Sequence, residues 1–141
     1  AAVRKYLIDE NTMLAAGNCQ TSQAMAIYYN IFEPAERKAA FEQLINLIEE
    51  KEYHLDVGVL GGRVLFHVLT DFGYSDLAFS MITRPDYPSY GNWIARGATT
   101  LWEVFQPEGS DRIGSLKSPL LGRHQQLVYA GALRYPHGAA R

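Results

Sequence analysis

The run from Pro34 to about Lys51 constrains this chain more than any other stretch. Ala40, Phe41, Leu44, Ile45, Leu47 and Ile48 recur at spacings of three and four, while Glu36, Arg37, Lys38, Glu42, Glu49 and Glu50 fall elsewhere. The spacing predicts one amphipathic helix with an apolar face and a solvated face, and such a face has to be buried against another element. Glu33-Pro34 marks its start, because proline fits the first helical turn and pushes the preceding residue out of helical geometry.

The remaining segments follow the same grammar. Residues 1 to about 9 read as the end of a helix carrying Val3, Tyr6 and Leu7. Asn11 and Thr12 stop it, and Gly17-Asn18 marks a turn before a stripe of Ala24, Ile27, Tyr28 and Ile31 that is rich in small residues, as suits closely packed helices. Gly58, Gly61 and Gly62 read as a flexible loop ahead of a shorter, more apolar helix on Val64, Leu65, Val68 and Leu69. A turn from Asp71 to Ser75 follows, with Ser75 the expected N-cap of a helix bearing Leu77, Ala78, Met81 and Ile82, closed by Arg84-Pro85-Asp86-Tyr87-Pro88. There is no sustained period-2 run, no internal repeat and no linker. The expected fold class is all-α, built from antiparallel helical hairpins.

Composition excludes several functions. With 141 residues the chain has enough for one domain with a real core, and its 48% hydrophobic and 20% charged residues are those of a soluble globular protein. A formal charge of −2 without a basic run argues against a nucleic-acid partner. No apolar stretch reaches the length of a membrane span. A single cysteine, Cys19, rules out an internal disulfide and reads as a small buried side chain. His54, His67, His124 and His137 lack ligand spacing, so no metal site is expected, and His67 among Leu65, Phe66 and Val68 reads as a core histidine.

The chemically suggestive stretch lies at Ala98-Thr99-Thr100-Leu101-Trp102-Glu103, shortly after the aromatic and turn-rich Tyr87-Pro88-Ser89-Tyr90-Gly91-Asn92-Trp93. A carboxylate beside flat apolar rings is the chemistry of sugar sites: the rings cover a pyranose face while the acid or base works at the glycosidic carbon. The same pair equally describes a half-buried indole next to a solvated glutamate. Trp102, Trp93, Tyr87 and Tyr90 are each candidates for sugar contact or for core, and Arg96 for holding Glu103 or a hydroxyl or for plain surface.

Tyr87-Pro88-Ser89-Tyr90-Gly91 followed by Gly97-Ala98-Thr99-Thr100-Leu101-Trp102-Glu103 resembles the signature near the end of the catalytic domain of bacterial α-L-rhamnosidases, glycoside hydrolase family 78. Gly17-Asn18-Cys19-Gln20-Thr21-Ser22-Gln23-Ala24 is similar to an earlier block of that family, as are Gly58-Val59-Leu60-Gly61 and Leu69-Thr70-Asp71-Phe72-Gly73-Tyr74. The resemblance implies part of a six-hairpin α/α toroid. It also implies an inverting hydrolase of terminal rhamnosides, with Glu103 as general base, Trp102, Trp93, Tyr87 and Tyr90 as substrate contacts, and no cofactor. The family's general acid belongs to an acidic cluster upstream of these blocks. The chain is therefore expected to be a fragment, inactive alone, that self-associates through faces meant for neighbouring hairpins. A non-catalytic carbohydrate-binding or interaction module, or another glycosidase or lyase on the same toroid, stays open.

The resemblance stops after Leu116. There the family continues with Asn-His-His and an amphipathic helix, whereas this chain has Lys117-Ser118-Pro119-Leu120-Leu121-Gly122. Suitable codons for Lys117 onward, read with one base removed, give Asn-His-His-Phe-Leu-Gly-Asp and a Trp-Phe helix. The expected organisation is thus a glycosidase segment over 1–116 and a frame-shifted, non-native tail over 117–141.

Overall fold

The computed structural model describes residues 2–99 together with Trp102 and Phe105. Glu103 and the tail over 117–141 lie outside the described residues. Along the chain run α1 (Ala2–Leu7), β1 (Ile8–Asp9), β2 (Leu14–Ala15), α2 (Gln20–Tyr28), α3 (Arg37–Glu49), α4 (Val59–Asp71), α5 (Ser75–Thr83) and α6 (Tyr90–Ala95). The all-α expectation holds. The exception is a two-residue antiparallel ladder pairing Ile8 with Ala15 and Asp9 with Leu14, which is too short to leave a period-2 trace in sequence. α1 accordingly ends at Leu7, two residues before the expected stop.

α3 buries Ala40, Phe41, Leu44, Leu47 and Ile48 and exposes Glu42 and Glu49, as its pattern requires. It begins at Arg37, three residues after Pro34, because the intervening residues form a turn held from outside. The Glu36 carboxylate accepts from Glu33 N at 2.8 Å and from Arg4 Nη1 at 2.6 Å, which also holds its pKa below the usual carboxylate range. The same ion pair fastens α1 to the start of α3.

α2 departs most from its expected stripe. Ala24 and Ile27 are buried, but Tyr28 is exposed and Ile31 lies beyond the helix end. The buried face is completed by two glutamines, Gln20 and Gln23. Gln23 Oε1 accepts from Ala15 N (2.7 Å), and its Nε2 donates to Met13 O (2.9 Å) and Ala40 O (2.8 Å). Gln20 Nε2 donates to His54 O (2.9 Å), and its Oε1 accepts from Asp56 N (3.0 Å). Each amide satisfies backbone groups that would otherwise be buried unpaired.

Gly61 and Gly62 belong to the first turn of α4, not to a loop. Gly61 is there for closeness. A Cβ on Gly61 would overlap Thr21 Oγ1 of α2 and stand 3.0 Å from Val57 Cβ. Past that contact α4 buries Val64, Leu65, Phe66, Val68 and Leu69, and His67 is half-buried beside the Tyr28 ring. Ser75 is the first residue of α5 and not its N-cap; that position is Tyr74, which makes no side-chain capping bond. α5 turns Ala78 and Met81 into the core.

Four helices end alike. Asn30, Glu52, Gly73 and Gly97 have positive φ (55°, 52°, 85° and 81°), and each closes its helix with the paired hydrogen bonds of a Schellman motif. In α2 these are Asn30 N to Ile27 O and Ile31 N to Ala26 O; in α4, Gly73 N to Thr70 O and Tyr74 N to Leu69 O. Tight reversals of this kind fold successive helices back on one another.

Replacing Gly61 by Ala should force α2 and α4 apart and cost about 1–3 kcal/mol. Thr21→Ala should recover part of that loss in a double-mutant cycle of urea denaturation; strictly additive losses would mean the two residues do not share this contact.

Candidate active site

After α5 the chain leaves helical geometry at Arg84 and passes through a cis Tyr87–Pro88 bond before α6. Asp86 organises this loop. Arg84 Nε and Nη2 donate to its two oxygens at 2.9 and 2.7 Å, and His54 Nε2 lies 2.9 Å from Oδ2. The Arg84 guanidinium, and then His54, hold the Asp86 carboxyl well below the usual carboxylate range. Arg84 Nη1 also donates to Glu52 O at 3.2 Å, so the segment between α3 and α4 is tied to the segment between α5 and α6.

Ser89, fully buried, caps α6. Its Oγ accepts from Asn92 N at 2.9 Å and points its hydroxyl at the carbonyls of Arg84 and Asp86, while Asn92 Nδ2 donates to Pro85 O at 2.9 Å. The second residue of α6 is a glycine because the helix starts hard against the end of α5: a Cβ on Gly91 would overlap the carbonyl oxygens of Thr83 and Arg84. α6 likewise ends in a Schellman motif, with Gly97 N bonded to Ile94 O and Ala98 N to Trp93 O at 2.9 Å. This reversal returns the chain toward Trp93.

An aromatic cluster results. Tyr90 meets Trp93 edge-on at 5.0 Å, Phe105 stacks on Trp93 at 4.6 Å, and Trp102 leans on Trp93 at 6.0 Å with the planes 43° apart. The Arg96 guanidinium lies over the Trp102 ring, 5.2 Å from its centroid. Trp93 is only 5% exposed, Tyr90 and Trp102 are half-buried, and Tyr87 is 40% exposed on the loop rim. Burial pushes the Tyr90 phenol up to about 12, so it is neutral at any ordinary pH. Of the sequence-derived candidates, Trp102, Trp93 and Tyr90 are thus brought together, and Tyr87 stands on the loop leading into their helix. Glu103, next after Trp102 in sequence, is outside the described residues.

Sequence reasoning missed the Asp86 cluster and the Ser89 cap. A legible signal existed for the second, since Ser89 sits immediately before the helical residues and three before the Asn92 amide it caps. None existed for the first, whose His54 and Asp86 are 32 residues apart. Cys19, expected to be buried, is half-buried and stands at the N-cap position of α2 with Sγ 3.5 Å from Ser22 Oγ. Among the described residues no group of three or more His, Cys, Asp or Glu could hold a metal ion.

The helical hairpins and the half-buried aromatic cluster fit the class of helical-hairpin glycosidases, and comparison with known proteins names the family. Residues 1–128 match the bacterial alpha-L-rhamnosidase six-hairpin glycosidase domain. The chain belongs to that family. It is 37% identical over 105 residues to an alpha-L-rhamnosidase of Streptomyces avermitilis, covering 72% of this chain and 10% of that protein. An alpha-L-rhamnosidase of Alteromonas sp. is 30% identical over 142 residues, covering 94% of this chain and 15% of the relative. Among solved structures, the Streptomyces avermitilis alpha-L-rhamnosidase complexed with L-rhamnose superposes with a TM-score of 0.70 at 32% identity, over 84% of this chain and 11% of that one. The alpha-L-rhamnosidase from Dictyoglomus thermophilum gives 0.74 at 29% identity, over 89% and 15%. The chain therefore spans a small part of the relatives it matches.

Gly91→Ala should pry α6 from α5 and expose Trp93. The expected readout is a red shift of tryptophan emission with a lower unfolding midpoint; emission unchanged from wild type would mean that α6 does not depend on this close approach.

Proposed function

We propose that this chain is part of an inverting α-L-rhamnosidase, in which Glu103 is the general base and Trp102 lines the sugar subsite. The family match over residues 1–128 supports this reading most strongly, together with the seating of Trp102 on Trp93 one residue before Glu103. In an inverting hydrolysis one carboxyl group protonates the departing oxygen while the other activates a water on the opposite face of the sugar, the two standing roughly 6.5–9.5 Å apart. Glu103 takes the second role and must stay ionised, which calls for polar or solvated surroundings. The acid comes from sequence beyond this segment, so the chain alone is inactive.

Rhamnose presents a methyl group and apolar ring faces, which suit an indole such as Trp102 and an exposed phenol ring such as Tyr87. Trp93 and Tyr90, largely withdrawn from solvent, serve as the floor that holds Trp102 more than as contacts in their own right. On the same reading residues 117–141 are a frame-shifted tail, a matter for the coding DNA.

In a full-length protein carrying this segment, Glu103→Gln should lower kcat/KM on an aryl α-L-rhamnoside on the order of 10³-fold. Proton NMR of the first product formed by the wild type should show the inverted anomer. Turnover that survives Glu103→Gln would remove Glu103 from the mechanism, and hydrolysis absent from the wild type would favour a carbohydrate-binding module instead. The isolated chain leaves apolar side chains such as Leu60, Phe79 and Ile94 exposed, Ile94 to 74%. It should self-associate in sedimentation velocity; a monodisperse monomer at high concentration would oppose that.

A further inference from the structure

We infer that Arg96 is the residue that sets the pose of Trp102, acting as a positioning residue for the sugar subsite; the inference rests on the rhamnosidase reading proposed above. Arg96 is the C-cap of α6, and its guanidinium lies over the Trp102 ring at 5.2 Å. Trp102 meets Trp93 at a tilt of 43° with centroids 6.0 Å apart, an aromatic pair that supports the indole from one side. A cation over an indole face adds a second restraint, because the ring quadrupole attracts the charge and a flat guanidinium also stacks.

The backbone prepares this contact. Gly97 takes φ 81° at the end of α6, and the bonds from Gly97 N and Ala98 N to Ile94 O and Trp93 O fix the point where the chain reverses. Arg96 stands before that reversal and Trp102 after it, six positions on. The placement also sets a cation at the carbonyl end of the helix, where it is electrostatically favoured. Arg96 is exposed, so its side chain has solvent beside it and does no core packing. Through the contact with Trp102 it orients that ring.

A platform held in one pose binds a sugar face equally in the ground state and the transition state. Losing the restraint therefore raises KM and spares kcat. In a full-length protein carrying this segment, Arg96→Ala and Arg96→Gln should each raise KM for an aryl α-L-rhamnoside about three- to tenfold with kcat retained. Arg96→Lys, which keeps the charge, should stand close to the wild type. Unchanged KM in Arg96→Ala, a loss confined to kcat, or Arg96→Lys as impaired as Arg96→Gln would each overturn the inference.

A second measurement needs no activity. The 141-residue chain has two tryptophans, and Trp93 is buried, so acrylamide quenching reports chiefly on Trp102. Quenching should become more efficient in Arg96→Ala and stay near wild type in Arg96→Lys; identical quenching in all three proteins would refute the contact. If the wild-type full-length protein fails to hydrolyse the rhamnoside, the functional reading falls, and quenching still decides whether Arg96 holds Trp102.

Discussion

The close approach of α2 and α4 is the constraint on which the rest of the fold depends. It exists because position 61 has no side chain where α4 crosses Thr21. Helices whose backbones come this near can interdigitate small residues, and α2 supplies Ala24 and Ala26 fully or almost fully buried. α4 then sits deep enough to bury Leu65, Phe66, Val68 and Leu69 together, giving the core its centre. Larger residues at this crossing would leave voids elsewhere, since packing at crystal-like density cannot be redistributed without cost.

Close packing by small residues buries backbone that needs partners, and α2 answers with two glutamines. Gln23 binds the β1–β2 turn and α3, and Gln20 binds the segment after α3 at His54 and Asp56. From there a chain of polar contacts runs outward. His54 reaches Asp86, Asp86 and Arg84 fix the loop after α5, and Ser89 within that loop caps α6. α6 carries Trp93, and Trp93 bears Trp102. The aromatic cluster is thus anchored to the core through named hydrogen bonds, with the flexible-looking loops serving as the rigid intermediates.

The sequence disclosed the elements whose signal is local. The α3 stripe is a property of one helix face, so its buried residues were readable, and three of the four positive-φ helix ends carry a glycine or asparagine, Glu52 after α3 being the exception. What stayed hidden depends on tertiary contact. Gly61 and Gly62 looked like a loop because glycine weakens a helix in isolation; only the presence of Thr21 across the crossing turns Gly61 into a packing device. Tyr28 looked apolar enough to be core but is exposed, and the buried face of α2 is completed instead by Gln20 and Gln23, whose amides answer backbone hydrogen-bond demand. At the candidate site, the sequence marked Tyr90, Trp93 and Trp102, which the structure brings together. It could not distinguish Trp93, which the fold buries as a support, from Tyr87, which it leaves at the rim.

That distinction bears on what this small segment contributes to the proposed chemistry. A base works at its pKa only if its surroundings stay polar, whereas a ring that stacks on sugar works only if it cannot swing away. The two demands conflict when the residues are neighbours in sequence, as Trp102 and Glu103 are. The described geometry eases the conflict by taking rigidity from beneath and leaving the surface open: Trp93, Tyr90 and Phe105 form an apolar floor, and the charged Arg96 restrains the indole from an exposed position. An aliphatic side chain in place of Arg96 would hold the ring by burying it, and would bring low dielectric toward the carboxylate that follows. A guanidinium restrains the ring while keeping its vicinity hydrated.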